Sequence, residues 1–233
     1  MTDRGDILAY IASVQVGRPV PARLPWPREG GTDGPPSYLT AIAKAQVAGD
    51  VAVGRSNLDG DAQADTLHHG GPDKAVHAHF AQHLAWWGAR RGRPVQPGEI
   101  GENLTLRGGP GAPEPDEAQF CIGDLVRAGS ALLQVTQPRI PCFKQAAALQ
   151  LRDGAALAAS SGRTGLYLRV VEPGTLRAGD PLRCVERPHP DVTVADANRF
   201  VRGDRQDADL RARLSRCVGL GADIRRRLGE ERS

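Results

Sequence analysis

Residues 123–136 read Gly123-Asp-Leu-Val-Arg-Ala-Gly-Ser-Ala-Leu-Leu-Gln-Val-Thr136. A Gly-Asp turn opens two short apolar runs, Leu125 to Arg127 and Ala131 to Thr136, each of strand length and broken by glycine. The same grammar recurs on both sides. Upstream lie Ile7 to Val16, Tyr38 to Ala43, Asp50 to Val53 and Leu104 to Leu106. Downstream lie Leu166 to Val171 and, after a second Gly-Asp turn at Gly179-Asp180, Leu182 to Glu186. Helices interrupt the series at about Phe80 to Arg90, Cys142 to Gln150 and Gly154 to Ser160. This spacing predicts a mainly β chain with helices, a β-barrel rather than alternating βαβ units. Arg18 to Pro36 is rich in Pro and Gly and reads as a loop.

The period changes near the end. Thr193 is a helix N-cap, with Val194, Ala197 and Val201 at helical spacing behind it. Leu210, Leu214, Cys217 and Val218 form a second stripe, and Ile224 with Leu228 a third. Glycines at 203, 219 and 221 separate them, giving a small module of three helices. Its apolar faces are thin, so it docks on the barrel or, as a homodimer contact, on a second subunit. All 18 prolines lie at or before Pro190, which puts a boundary at Pro188-His189-Pro190. The expected organisation is 1–37, a strand and a Pro/Gly loop packing on the barrel; 38–187, the barrel domain; and 193–233, the three-helix module.

The chain has 233 residues and a net charge of +3, with 30 Lys plus Arg against 27 Asp plus Glu. Residues 1–192 hold 20 of each sign, so the excess sits in the tail, where ten arginines face seven acids. Those acids, and a single aromatic at Phe200, speak against a nucleic-acid-binding module. No apolar stretch approaches the ~20 residues of a membrane span. Met1 to Gly17, with acids at Asp3 and Asp6, lacks a signal-peptide layout, so a cytoplasmic protein is expected. Cys121, Cys142, Cys184 and Cys217 are widely spaced without a CxxC, which fits free thiols. Only three of the cations are lysines, Lys44, Lys74 and Lys144, which singles each out.

Four constellations carry chemistry. In Gln137-Pro-Arg-Ile-Pro-Cys-Phe-Lys144, Cys142 opens a helix beside Arg139 and Lys144, and the dipole and both cations favour the thiolate. Such a thiolate binds a soft metal or attacks an electrophile. The other three cysteines read as inert core thiols. In Leu67-His-His-Gly-Gly-Pro-Asp-Lys-Ala-Val-His-Ala-His79, His77 and His79 share a strand face, and His79 and His83 a helix face. A zinc-like site is conceivable there but lacks a three-ligand spacing; a pocket-lining loop is the competing reading. Gly98 to Thr105 brings Glu102 and Asn103 to the mouth of a strand. Ser160-Ser-Gly-Arg-Thr-Gly165 offers Arg163 and backbone N–H groups to a phosphate. Neither a Walker sequence nor GxGxxG is present, which argues against nucleotide hydrolysis or a Rossmann cofactor.

Taken in order, Thr40-Ala-Ile-Ala-Lys44, Leu58-Asp-Gly-Asp61, His69-Gly-Gly-Pro-Asp-Lys-Ala75, Gly101-Glu-Asn-Leu-Thr105, Gln137-Pro-Arg139, Pro141-Cys-Phe-Lys144 and Ser161-Gly-Arg-Thr-Gly165 resemble the MOSC domain. This is the molybdenum-cofactor-sulfurase C-terminal domain, here in its bacterial YiiM-type branch. The match covers about residues 38–186, and the proline-free tail resembles the three-helix extension of that branch. Arg18 to Pro36 and Gly108 to Pro115 look longer than usual, and Leu166 stands where an aromatic is common.

The resemblance implies a barrel whose open end receives a molybdenum-pterin cofactor. Cys142 would be the metal ligand or carry a persulfide. Lys44, Asn103, Arg139 and Arg163, with Lys144 beside them, would hold the cofactor phosphate, and His68 or His69 would supply protons. Relatives reduce N-hydroxylated compounds such as hydroxylaminopurines and amidoximes, with electrons from a separate reductase. The alternative is a sulfur carrier for metal–sulfur cofactor assembly, with the persulfide on Cys142. A pyridoxal-phosphate Schiff base at Lys44, Lys74 or Lys144 is disfavoured, because the chain has no aminotransferase-like domain.

Overall fold

A computed structural model describes residues 5–27, 35–203 and 206–229. In chain order these form β1 (Asp6–Val16), β2 (Val20–Arg23), β3 (Ser37–Thr40), β4 (Ala45–Val47), β5 (Val51–Val53), β6 (Val76–Phe80), α1 (Ala81–Arg91), β7 (Leu104–Arg107), β8 (Leu125–Ala128) and β9 (Ala131–Pro138). There follow α2 (Phe143–Leu149), α3 (Gly154–Ser161), β10 (Leu166–Glu172), β11 (Gly174–Leu176), β12 (Pro181–Glu186), α4 (Val194–Arg202), α5 (Ala208–Arg216) and α6 (Ala222–Gly229).

The stretch that opened the reading is the hairpin β8–β9. Ala128 pairs with Ala131 across Gly129-Ser130, and Gly129 sits at φ +56, which a two-residue hairpin turn requires. From this hairpin the sheet runs β12-β8-β9-β10-β6-β7-β1 and closes where β1 pairs with β12. The result is a seven-stranded barrel, antiparallel except between β6 and β7. Closure removes the exposed edges an open sheet would carry. β1 does more than pack on the barrel: it is a stave, pairing with β12, β7 and β4 in turn. Register shifts at Ile7/Ala9 and Ile11/Ser13 let that one long strand bend between its partners.

Three expectations are corrected here. The run from Tyr38 leaves the sheet after Thr40 and resumes at Ala45. Arg18 to Pro36 begins as β2, paired with β3, while residues 28–34 of it lie outside the described residues, as do Asp3 and 204–205. His79 belongs to β6 and not to the helix of His83, although the two rings still meet at 5.4 Å between centroids.

The tail docks on the barrel. Phe200, Leu210, Leu214, Cys217, Leu220 and Ile224 belong to one buried cluster with Leu133, Val135 and Leu168 of the staves. Phe200 is fully buried, and such burial stabilises by roughly 1.5–3 kcal/mol. Thr193 caps α4 as read, in a reciprocal box with Asp196. Val218 leaves its stripe, being 65% exposed, because α5 ends at Arg216 and the chain turns extended at Cys217. A smaller apolar cluster, centred on Trp87, Ile100 and Leu149, joins α1, α2 and α3 against the pocket end. Among the described residues no helix is long and apolar enough to cross a membrane.

Candidate functional site

At the end of the barrel where β9 finishes and β6, β7 and β10 begin, residues at these strand ends and in the loops 40–44 and 61–74 surround a cavity of about 550 Å³ including its open mouth. Cys142, Arg139, Lys44, Lys144, Asn103 and His69 all line it. Residues from 44 to 144 thus meet at one place, which spacing alone could not reveal.

Cys142 is the N-cap of α2, following the bend after β9. Arg139 is 4% exposed and gives one guanidinium nitrogen to Gln145 Oε1 at 2.6 Å and directs the other toward Cys142 Sγ at 3.7 Å. Burial is the largest single influence on the thiol and opposes ionisation. The positive charge of Arg139, a hydrogen bond and charge from His69, and the Gln145 backbone N–H together outweigh it, bringing the thiol from its usual 9.0 down to about 6. Cys142 is therefore a thiolate at neutral pH. The other three cysteines go the opposite way: burial pushes Cys121 and Cys217 up to about 11 and raises Cys184. That matches the reading of Cys121 and Cys217 as inert core thiols, while Cys184, on β12, is half-buried and stands outside the core.

The cations of the pocket are held by carboxylates. Lys44 forms an ion pair with Asp61, whose side chain is fully buried. Asp61 also accepts from the Gly17 N–H at 2.8 Å and from Asn103 Nδ2 at 2.9 Å. Asn103 in turn accepts from the His77 N–H at 3.0 Å. One carboxylate thereby fixes both Lys44 and Asn103, a role the turn Leu58-Asp-Gly-Asp61 did not disclose. Lys74 is 8% exposed, lines the cavity and pairs with Asp223 of α6 at 2.6 Å. Tyr167, at the start of β10, closes the wall between Arg139 and Cys142, its hydroxyl pKa raised chiefly by burial. Lys144 lines the mouth without an ion-pair partner among the described residues.

Two expected site residues stand elsewhere. His68 is exposed and caps back onto Asp65 at 3.1 Å, outside the lining. Arg163 lies over the Trp86 ring, 4.9 Å from its centroid, and does not reach the cavity. The phosphate reading of the Gly162 to Gly165 turn is corrected for a physical reason: its N–H groups are already taken. Glu117 Oε1 accepts from Thr164 at 3.0 Å and from Gly165 at 2.8 Å. Glu117 is itself buried, which pushes its carboxyl up to about 7, and it faces His83 Nδ1 at 3.7 Å. No group of three His, Cys, Asp or Glu among the described residues is arranged to hold a metal ion, so the histidines do not form a zinc-like site. Burial instead holds His77 near 3, His83 near 4 and His79 well below its usual value, so all three are neutral. Of these only His77 lines the cavity.

Known proteins share this fold. The MOSC domain model matches residues 65–183, from Asp65 through the cysteine element to Arg183. The chain belongs to the MOSC domain family. Within the family it is of YiiM type: it is 35% identical over 203 residues to Protein YiiM of Escherichia coli, covering 85% of this chain and 87% of that protein. The crystal structure of YiiM from Geobacillus stearothermophilus superposes with a TM-score of 0.76 at 32% identity, covering 97% of this chain and all of that one. A Gibberella moniliformis protein named Reductase is 31% identical over 187 residues, which is 78% of this chain and 31% of that protein. The expected β-barrel with a helical extension is thus the family's fold, and the cysteine element lies inside the matched region.

Proposed function

We propose that this MOSC protein is an oxidoreductase that reduces N-hydroxylated compounds, such as hydroxylaminopurines or amidoximes. It would use a molybdenum-pterin cofactor held in the pocket and electrons from a separate reductase. The observation that carries the reading is Cys142, a thiolate at neutral pH in a cavity lined by cations and an amide. The reductase name of the fungal relative and the origin of the family's name agree with it.

The residues fit the group. A thiolate suits a soft-ligand metal and a group of cations suits a phosphate, while the Asn103 amide already donates to the Gln15 carbonyl and to Asp61 and so steadies the floor. Cys142 would hold the metal and Lys44, Arg139 and Lys144 the phosphate, whereas Asn103, expected as a fourth anchor, spends its amide on Gln15, Asp61 and His77 and would position the others. When bound, the cofactor supplies a centre that passes two electrons to the substrate. Replacing N–OH by N–H also consumes two protons and releases water. His69, hydrogen-bonded at Cys142, is the imidazole placed to deliver a proton to the departing oxygen. Arg139 keeps the sulfur ionised and oriented, and the Asp61 pair keeps Lys44 and Asn103 from collapsing into the empty volume.

Molybdenum and pterin content of freshly isolated protein tests this directly. Wild type should carry both and Cys142→Ala neither; wild-type-like retention by the variant would sink the ligand assignment. The same thiolate also supports the sulfur-carrier reading, since it is the nucleophile that accepts a sulfane sulfur. Cyanide-labile sulfur on Cys142 in molybdenum-free protein would favour that reading.

A further inference from the structure

The buried ion pair between Lys74 and Asp223 joins two parts of the molecule that the sequence separates by a domain boundary. Lys74 follows the His68-His-Gly-Gly loop and lines the cavity. Its ammonium donates to the His68 carbonyl at 2.5 Å as well as to Asp223 Oδ2 at 2.6 Å. Asp223 sits in the first turn of α6, on the tail, and is itself 20% exposed. Neighbouring contacts hold that turn against the barrel. The Gly221 N–H donates to the Thr136 carbonyl at 2.9 Å, and the Ala222 N–H to Asp73 Oδ2 at 2.8 Å. A side chain at Gly221 would collide with Gln137 of β9, so α6 approaches as closely as glycine allows. Gln137 Nε2 also reaches Asp223, at 3.4 Å.

We propose that Asp223, supplied by the C-terminal helices, is a positioning residue of the pocket. It holds the Lys74 ammonium on the His68 carbonyl and so fixes His69 against Cys142. A lysine this buried needs a counter-charge, and removing one member of a buried pair leaves the other uncompensated. Deprived of Asp223, the ammonium has the cavity on its open side, and turning into it releases the His68 carbonyl. The loop that follows contains Gly70 and Gly71, and the other backbone ties of His68 and His69 are local ones to Asp65, which can move with the loop. The tail is then part of the site rather than an appendage. This inference takes the pocket above as the functional one, but it concerns only protein groups.

Amide hydrogen exchange on the full chain tests it. Two reporters read the loop: the His69 N–H, bonded to the Asp65 carbonyl, and the Lys74 N–H, bonded to the Gly71 carbonyl. The Gly221 N–H reads tail docking. In Asp223→Asn both loop amides should exchange at least tenfold faster while Gly221 stays protected, and Asp223→Glu should restore protection. Lys74→Met should loosen the same amides, and adding Asp223→Asn to it should change nothing further. Unchanged loop amides in Asp223→Asn, additive effects in the double variant, or Gly221 losing protection in step with the loop would each overturn the proposal. Wild type without molybdenum would undo the proposed reaction and leave this exchange pattern standing.

Discussion

Replacing Arg139 by glutamine should move the ionisation of Cys142 upward by at least about two pH units. The thiol lies at about 6 although burial pulls it the other way, and Arg139 is the foremost of the groups that bring it down. Removing that cation while keeping a side chain that can still meet Gln145 leaves burial opposed only by His69 and one N–H. Two units correspond to roughly 2.7 kcal/mol of lost thiolate stabilisation. A single alkylation rate at pH 7 would understate this, because a thiolate of higher pKa is intrinsically more nucleophilic. With a Brønsted coefficient of about 0.4–0.5, a two-unit rise makes the anion roughly 6–10 times more reactive while its population falls about tenfold. The two nearly cancel.

The midpoint of the full pH–rate profile is therefore the measurement. Iodoacetamide modification of metal-free protein, followed from pH 4.5 to 10 by mass spectrometry of the Cys142 peptide, reads it without interference. Cys121 and Cys217, both buried and near 11, stay unreactive over most of that range. Arg139→Lys, which keeps the charge, should hold the midpoint below that of Arg139→Gln. A midpoint that stays near 6 in Arg139→Gln would refute the electrostatic account of the site.

The remaining expectations concern the frame around the thiol. Gly165 sits at φ +72, and a Cβ there would press on the Ala78 carbonyl and come within 2.6 Å of His79 Nδ1; Gly165→Ala should cost more than about 1 kcal/mol in urea unfolding, and an unchanged midpoint would contradict the packing. Asp61→Asn leaves Lys44 buried without a counter-charge, so a loss of about 3–5 kcal/mol is expected in the same assay. Stability should also depend on pH in a particular shape. His77, His79 and His83 are neutral when folded but protonate when unfolded, so their contribution falls as pH drops below about 6.5. Glu102 and Glu117, both near 7 when folded, act oppositely: they favour the folded state below that value and lose this as pH rises through it. With three groups against two, stability should decline by roughly 1.4 kcal/mol per unit from pH 6.5 to 4.5, then more steeply once the unfolded carboxylates also take protons. Thermal melts that show a flat or inverted trend there would contradict the buried neutral histidines.

How much of this was legible in the sequence depended on whether the cause was local. The Gly-Asp turns, the β8–β9 hairpin and the Thr193 cap are decided by a few adjacent residues, and each was readable, whereas the break after Thr40 and the strand β2 were not. So was the direction of the Cys142 ionisation, since Arg139 stands three residues away. The opposition to it was not readable, because burial depends on Tyr167 and the approach of β10. Lys44 looked like a free anchor since nothing near it is acidic; its partner lies 17 residues on, across a turn. Arg163 misled for the complementary reason. The turn that carries it has the composition of a phosphate nest, but Glu117, 47 residues upstream, already occupies the N–H groups. A barrel was expected, but which strands close it was hidden, since that depends on β1 meeting β12, the first strand and the last.

The pairing of the cations changes what the pocket can do. Lys44 is matched by Asp61, Lys74 by Asp223 and Arg139 by the Cys142 thiolate, so among the described residues Lys144 is the lining cation without a matching anion. A cavity of that kind exerts a weak long-range field and does not gather anions by steering. Its strength is orientation: the donors are held in place before the ligand arrives, so little ordering remains to oppose binding. In the proposed function Lys144 would then have a distinct part, as the charge left to meet a phosphate at the mouth, with Lys44 and Arg139 as the held points against which it would dock. Selectivity among anionic ligands should accordingly follow shape and the position of their oxygens, with total charge a minor factor.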